Sequence, residues 1–449
     1  MAYSSRGLKP FERASKASHG HIIKNQYLQD FLSNCEMPKT MEDLKDFNFD
    51  FQEVLDIDIN PIKHIIAIDG GSTQVTVRER FPSTIITFYQ FGALIFNIND
   101  LDEISESPFV NPDDISKLKE IKRFEFVLPT KNIRLKNETM ISSVRKSIYE
   151  FFMRPLDDEN TLMDTFSWFI YEEYGKKRES WPLSKCPGCG LSNLELKKRE
   201  MTKAYTFRCP QCDMLLYLTD VFGIQNSVDE ELGVGETAAI ILLLEQMILV
   251  YILHTILKTS PKLLKETLFI KDGPLAFYGN SSRMYKPMRN LVNYLFDKHD
   301  LYLIGLEKSG AFVEHGLEIS DLIPPRSTLL LDDDYIYKFI IPSKDNRQYP
   351  YGFRTYYSGK LIFKTKEGNI YVATLPNREP TPHPTKKDFK NLDIILLNIE
   401  KLKCNMYENA LFPIALVNKL VSLSDHPSSK ILKKFASDKM KNHNSIHSD

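Results

Sequence analysis

The chain is expected to be an α/β protein: a mixed sheet flanked by helices, with a small cysteine-paired unit inserted. Three observations predict it. HIIAIDGGST (64–73) and TLFIKDGPLAF (267–277) are apolar, strand-like runs, and each delivers one aspartate, Asp69 or Asp272, to a following glycine. Between them, ETAAIILLLEQMILVYILHTILK (236–258) is apolar nearly all round, the pattern of a buried helix. CPGC (186–189) and CPQC (209–212) lie in the same interval and mark a change of character.

A chain of 449 residues has room for two or three domains and a large core. Its 42% hydrophobic and 26% charged residues are an ordinary globular composition. The formal net charge is −1, so no overall basic field marks a nucleic-acid binder, and any such surface must be local. No membrane span is expected, because residues 240–257, the longest apolar run, carry Glu245, Gln246 and His254. The opening residues have a charged start without an apolar core and do not read as a secretory signal. Six cysteines are too few for a disulfide framework, which points to a reducing, cytoplasmic setting.

Residues 1–60 are expected to form a helical arm, with FERASKASHGHIIKNQYLQDFL (11–32) as one amphipathic helix carrying Phe11, Ile22, Tyr27 and Phe31. Such a helix either packs on the main body or docks a partner. Residues 61–180 open with strands: IIAIDGG, then STQVTVRERF, STIITFYQFGALIF and KRFEFVLP, each β-branched, aromatic or alternating. A helix at 138–154 follows, with Ile141, Val144 and Ile148 at helical spacing.

Residues 181–220 hold the inserted unit. Cys186, Cys189, Cys209 and Cys212 form two Cys-x-x-Cys turns, each with proline after its first cysteine, and four thiolates so spaced close a tetrahedral zinc site. With every position filled by sulfur, that zinc is structural, in a ribbon whose short strands are LELKKRE and AYTFR. A thioredoxin-like redox reading fails, since the pairs are matched and no βαβ context accompanies them. Cys35 and Cys404 are left as reduced thiols.

Residues 221–425 resume the main domain: the apolar helix, the strand ending on Asp272, a helix at 286–299 and the strand LYLIGLEKSGAF. KLIFKTKEGNIYVATLP reads as a hairpin turning near Gly368, and helical structure follows from Leu392. Residues 426–449 are expected to be disordered.

Two buried strands that each tolerate an aspartate suggest a shared reason for both. Glu245, among leucines and methionine, costs several kcal/mol unless it is paired or bound to a cation. Asp69, Glu245 and Asp272 converging would hold one or two Mg2+ or Mn2+ ions, the arrangement used in phosphodiester hydrolysis. Glu236, in the same helix region, is the second candidate for the glutamate. Lys308 ends another apolar strand and is placed to meet a scissile phosphate, while Arg283, Lys286 and Arg289 are candidates to grip a nucleic-acid backbone. Each has a plainer reading as a turn aspartate, a paired glutamate or a surface cation.

IIAIDGGS, the helix with Glu245, LFIKDGPLAF and the strand with GLEKSG stand in an order that resembles the NurA nucleases, over most of residues 60–425. The ribbon between the aspartates, with LTDVF directly after it, resembles the family's bacterial branch. The resemblance implies a ribonuclease-H-like fold and Asp69, Glu245 and Asp272 as ligands of catalytic manganese or magnesium. It also implies a homodimer that degrades DNA ends with a HerA-type hexameric ATPase, in repair or anti-phage defence. The family's C-terminal helix carries Tyr-Pro and then a histidine near the metals; here the stretch is ALFPIALVNKLVSLS, with Phe412-Pro413, Asn418 and Lys419. Two other readings stay open: an actin-like sugar kinase using DGGST as its phosphate loop, against which no glycine-rich adenosine loop follows, and a non-catalytic zinc-ribbon adaptor.

Overall fold

The computed structural model describes residues 16–35, 37, 39–79, 81–99, 119–156, 160–229, 231–341, 349–404, 410–423 and 428–445. Thirteen strands are found among them: β1 Phe51–Glu53, β2 His64–Arg78, β3 Thr84–Asn97, β4 Lys119–Lys131, β5 Ser180–Lys185, β6 Ser192–Lys197 and β7 Thr206–Arg208. Then come β8 Leu215–Tyr217, β9 Thr267–Asp272, β10 Tyr302–Glu307, β11 Ser327–Leu330, β12 Ser358–Lys364 and β13 Ile370–Pro376. Nine of them form one mixed sheet in the order β1-β11-β12-β13-β10-β9-β2-β3-β4. Only β2–β9 and β9–β10 pair parallel. All the other pairs in the sheet are antiparallel. The three strands that share parallel pairing are therefore central, with both faces covered.

Side chains alternate between the faces of a strand, and the two cores divide accordingly. Ile66, Ile68, Phe269 and Leu303 join a core with Leu243, Leu244 and Met247 of the helix Val234–Thr259. Ile65, Ala67, Leu268, Ile270, Ile304 and Leu306 face the other way, onto Ile395, Leu396, Ile414 and Val417 of the helices Leu392–Lys401 and Phe412–Val421. The expected hairpin is β12–β13, and Gly368 in its turn has φ +96°.

The ribbon strands form two hairpins, β5–β6 and β7–β8. Trp181, Leu183, Leu194, Leu196, Phe207 and Leu216 belong to the same core as the sheet, so the ribbon is fused to the main body. Behind it, Arg145 Nε and Nη2 donate to the two carboxylate oxygens of Asp220 at 2.8 and 2.7 Å, and Nη2 also reaches the Leu215 carbonyl. Both side chains of that pair are buried.

Several expectations are corrected. IIAIDGG and STQVTVRERF are not separate strands: β2 runs through Asp69, Gly70 and Gly71 to Arg78, paired with β3 with one register shift between Thr76 and Arg78. The glycines serve close approach instead, since a Cβ on Gly70 would lie 2.5 Å from the Phe91 ring and one on Gly71 2.6 Å from the Val421 carbonyl. In place of the single helix expected over 11–32, the described residues form two, Lys16–Ile23 and Gln26–Ser33, broken where the Asn25 side chain caps the second, and a short third helix, Met41–Leu44, follows. Ile22, Tyr27 and Phe31 are exposed on it, and Phe11 lies outside the described residues. Within 1–60, β1 is an edge strand of the main sheet. The tail contains a helix, Ser428–Ser445, which lies along β2 with Ala436 buried and a Lys433–Glu79 ion pair at 2.6 Å. Gly235–Thr259 has the length and apolarity to cross a membrane, and 78% of its most apolar window is buried inside the fold.

Candidate functional site

Parallel register brings the two aspartates together. The β2–β9 ladder ends with Ile68 opposite Lys271, so Asp69 and Asp272 are the next pair of neighbours on adjacent strands. On the far side of β9, Leu306 is opposite Asp272, and Lys308 follows two residues on. Alternation assigns Asp69 and Asp272 to the face of Ala67, Ile270 and Leu306. Gly92, opposite Asp69 on β3, has Val417, Leu420 and Val421 of the helix Phe412–Val421 close over its α-carbon.

Lys308 Nζ donates to Asp272 Oδ2 at 2.9 Å and lies 4.0 Å from Asp69 Oδ2. Asp69 is 2% exposed, its Oδ1 accepts from the Gly70 N–H at 2.8 Å, and its Oδ2 is buried without a hydrogen-bond partner. Burial, with repulsion from Asp272 and Glu245, holds the Asp69 carboxyl well above the usual carboxylate range; Lys308 opposes the shift. The turn after Asp272 is built by Gly273, at φ +74°, whose N–H donates to the Leu306 carbonyl at 2.6 Å. Gln246 Nε2 donates to the carbonyls of Pro274 and Ala276, and its Oε1 accepts from Tyr357 at 2.6 Å.

Glu245 is placed differently from the expectation. It is 3% exposed, on the face of the sheet opposite the aspartates, where a Cβ on Gly70 would come within 3.1 Å of its Oε1. Its Oε2 is 2.5 Å from Nζ of Lys271, a fully buried lysine that also donates to the Asp272 carbonyl. Burial pushes the Glu245 carboxyl up to about 7, although Lys271 pulls the other way. Sequence reasoning passed over Lys271, whose one signal was a cation next to the last residue of an otherwise apolar strand. Glu236 sits in the first turn of the same helix, about two and a half turns from Glu245.

Arg283 and Lys286 are exposed. Arg289 is not available to a nucleic acid: it is buried and donates to the Tyr356 carbonyl at 2.6 Å, because its helix turns that face into the core. Asn418 and Lys419 are exposed on the helix Phe412–Val421.

The four cysteines meet. Cys186 and Cys212 sulfurs are 3.7 Å apart, as are those of Cys189 and Cys209, and all four lie within 4.8 Å of one another. Sulfur-only donors at this spacing fit a tetrahedral zinc site. Among the described residues this is the one group of three or more His, Cys, Asp or Glu whose ligand atoms close to that distance. The three carboxylates do not.

For a hard divalent cation the test is Asp69: its buried carboxylate oxygen has no donor and stands beside a second carboxylate, a donor set that oxygen-loving ions suit. The aspartate pair fits such an ion.

The fold and site thus define a mixed α/β protein with a paired-carboxylate site where a parallel ladder ends and a four-cysteine knuckle pair. No protein-family model matches the chain, and a search of curated proteins finds no significant match. Among solved structures the chain is similar to the NurA nuclease from Sulfolobus solfataricus, at 9% identity and TM-score 0.36, over 96% of this chain and 98% of that one. It is also similar to a NurA structure with manganese, at 12% identity and TM-score 0.26, and to another NurA structure, at 14% and 0.25. Each of these two matches covers 92% of this chain and 95% of the other. At such identities and TM-scores, the functional reading rests on the site's own geometry.

Proposed function

We propose that the chain is a Mg2+- or Mn2+-dependent nuclease of ribonuclease-H-like fold that hydrolyses phosphodiester bonds in DNA. The observation that carries this is the pairing of Asp69 and Asp272 on adjacent parallel strands with Lys308 across both. In this reading Asp69 and Asp272 hold the cation, which when bound supplies Lewis-acid polarisation of a phosphoryl oxygen. Lys308, about one-third exposed, offers its ammonium to the substrate phosphate. Gln246 and Gly273 fix the turn that aims Asp272. Arg283 and Lys286 are free to meet the DNA backbone.

The kinase alternative loses its main support, because DGGST is continuous strand paired to β3 and forms no phosphate-cradling loop. The resemblance to NurA sequences motivates the rest of the reading: DNA ends as substrate, a homodimer, and a HerA-type ATPase partner, in repair or anti-phage defence. The four cysteines hold structural zinc.

The test is incubation of the zinc-loaded protein with linear DNA, with and without Mn2+. Cleavage is expected only with Mn2+ and is expected to vanish in Asp69→Asn and Asp272→Asn. Cleavage persisting in both variants refutes the mechanism. Addition of a HerA-type ATPase is expected to stimulate the reaction, and failure to associate under any nucleotide condition refutes that partnership.

A further inference from the structure

We propose that the open end of the β5–β6 hairpin, built from two copies of one basic tetrapeptide, is a DNA-backbone contact that extends the grip of Arg283 and Lys286. The inference rests on the DNA reading above and adds a binding surface that takes no part in the chemistry.

The sequence supplies the pattern. Lys176-Lys177-Arg178-Glu179 and Lys197-Lys198-Arg199-Glu200 are the same four residue types, together six cations and two acids in a chain of net charge −1. The first copy ends where β5 begins, and the second starts on the last residue of β6. Antiparallel pairing sets them side by side: Ser180 is opposite Lys197, and the Lys198 N–H donates to the Glu179 carbonyl at 2.8 Å.

A cavity of about 730 Å3 opens there, with Lys177, Arg178, Lys197, Lys198 and Arg199 in its wall and Glu179 as the one acid. Neighbouring acids meet only part of this charge. Lys198 pairs with Glu173 at 2.7 Å, and Arg178 reaches Glu172 at 3.5 Å. Lys197 and Arg199 share Glu200, at 3.3 and 3.9 Å. Lys176 and Lys177 are exposed and have no ion pair among the described residues. The Arg178 guanidinium lies over the Trp181 ring, 4.8 Å from its centre, so part of the charge is held on a fixed frame. Cations gathered this closely repel one another, and a polyanion with regularly spaced phosphates relieves that repulsion.

The patch is joined to the surface already assigned to DNA. Tyr174, two residues before Lys176, donates its hydroxyl to the Pro287 carbonyl at 2.9 Å, next to exposed Lys286. Glu172 accepts from Asn290 of the same helix, Tyr285–Lys298, at 3.1 Å. Arg283 lies just before that helix, in the turn Gly279–Met284. Direct contacts thus tie the tetrapeptides to the segment that follows Asp272.

The test is binding of full-length, zinc-loaded protein to a fluorescein-labelled linear duplex, read by anisotropy across a range of NaCl concentrations. No Mg2+ or Mn2+ is added, so that nothing is cleaved. Lys176→Gln/Lys177→Gln/Arg199→Gln is expected to bind about tenfold or more weakly at low salt. Its slope of log Kd against log salt is expected to be shallower by about 2–3. Lys366→Gln/Lys387→Gln/Lys401→Gln removes the same charge from exposed positions elsewhere and is expected to bind within about twofold of wild type. Wild type alone gives a second reading: the duplex is expected to protect Lys176 and Lys177 from acetylation, followed by mass spectrometry, and to leave Lys366 and Lys387 reactive. Unchanged affinity and slope in the first triple variant, an equal loss in the second, or no protection of Lys176 and Lys177 overturns the inference. The acetylation pattern needs no variant, so the inference remains decidable if a variant does not fold. Failure of wild type to bind the duplex at all refutes instead the DNA reading on which it stands.

Discussion

The effect on stability of replacing Asp69 by asparagine should depend on whether a divalent cation is present. In cation-free protein the Asp69 Oδ2 has no donor, and burial, with repulsion from Asp272 and Glu245, raises the carboxyl's proton affinity. Lys308 is shared between the two acids and lies nearer Asp272. An amide of the same shape removes the repulsion and can donate to Asp272. An unsatisfied buried polar group costs about 1–3 kcal/mol, so Asp69→Asn should stabilise the cation-free protein by about that amount. With Mn2+ at about 100 times its dissociation constant, wild type gains about 2.7 kcal/mol by mass action and the variant gains none. The variant's advantage should therefore be cancelled or, where it is below about 2.7 kcal/mol, reversed. Urea unfolding followed by circular dichroism, with zinc retained in both proteins, measures this. A variant less stable than wild type without cation, or an equal gain from Mn2+ in both, refutes the assignment of Asp69 as an unsatisfied carboxylate that a cation completes.

Three other outcomes follow from the structure. Arg145→Met leaves Asp220 buried and unpaired, so it should cost about 3–5 kcal/mol in denaturant unfolding, and Arg145→Met/Asp220→Leu should recover most of that. Removal of zinc should loosen the ribbon and, through Trp181, Leu183 and Leu196, the main core; a red shift of tryptophan fluorescence reversed by added zinc is the readout, and an unchanged spectrum counts against a structural ion. His254 is buried against Trp168, and burial lowers its pKa to about 4. The unfolded chain therefore takes up this proton first, and the stability that neutral His254 contributes above pH ~6.5 is lost as pH falls toward about 4. His254→Phe should flatten that window relative to wild type by up to about 3 kcal/mol in acid unfolding.

Much of the site was readable because its chemistry is local. Asp69 and Asp272 each follow an apolar, β-branched run, and equal run lengths before each aspartate let two parallel strands align them. The cysteine spacing and the hairpin at Gly368 are likewise short-range features, and both are found as expected. The misreadings share a cause. Gly70-Gly71 looks like a turn in isolation, and only the presence of Phe91 and Val421 overhead shows that these positions are bare to admit neighbours. Arg289 looks like a surface cation until its helix is rotated against the core. The tail looks disordered by composition, yet Ala436 and Lys433 find partners along β2.

By itself, the amino-acid order determined the central strands of the sheet, which helix is buried, and which four sulfurs and two aspartates have cause to meet, because alternation, apolar runs and turn residues act over a few neighbours. The partner of Glu245 was decided only by the tertiary structure. A glutamate on an all-apolar helix has no preferred face of its own; sheet register and helix packing set it against Lys271, across the sheet from the acids it was expected to join.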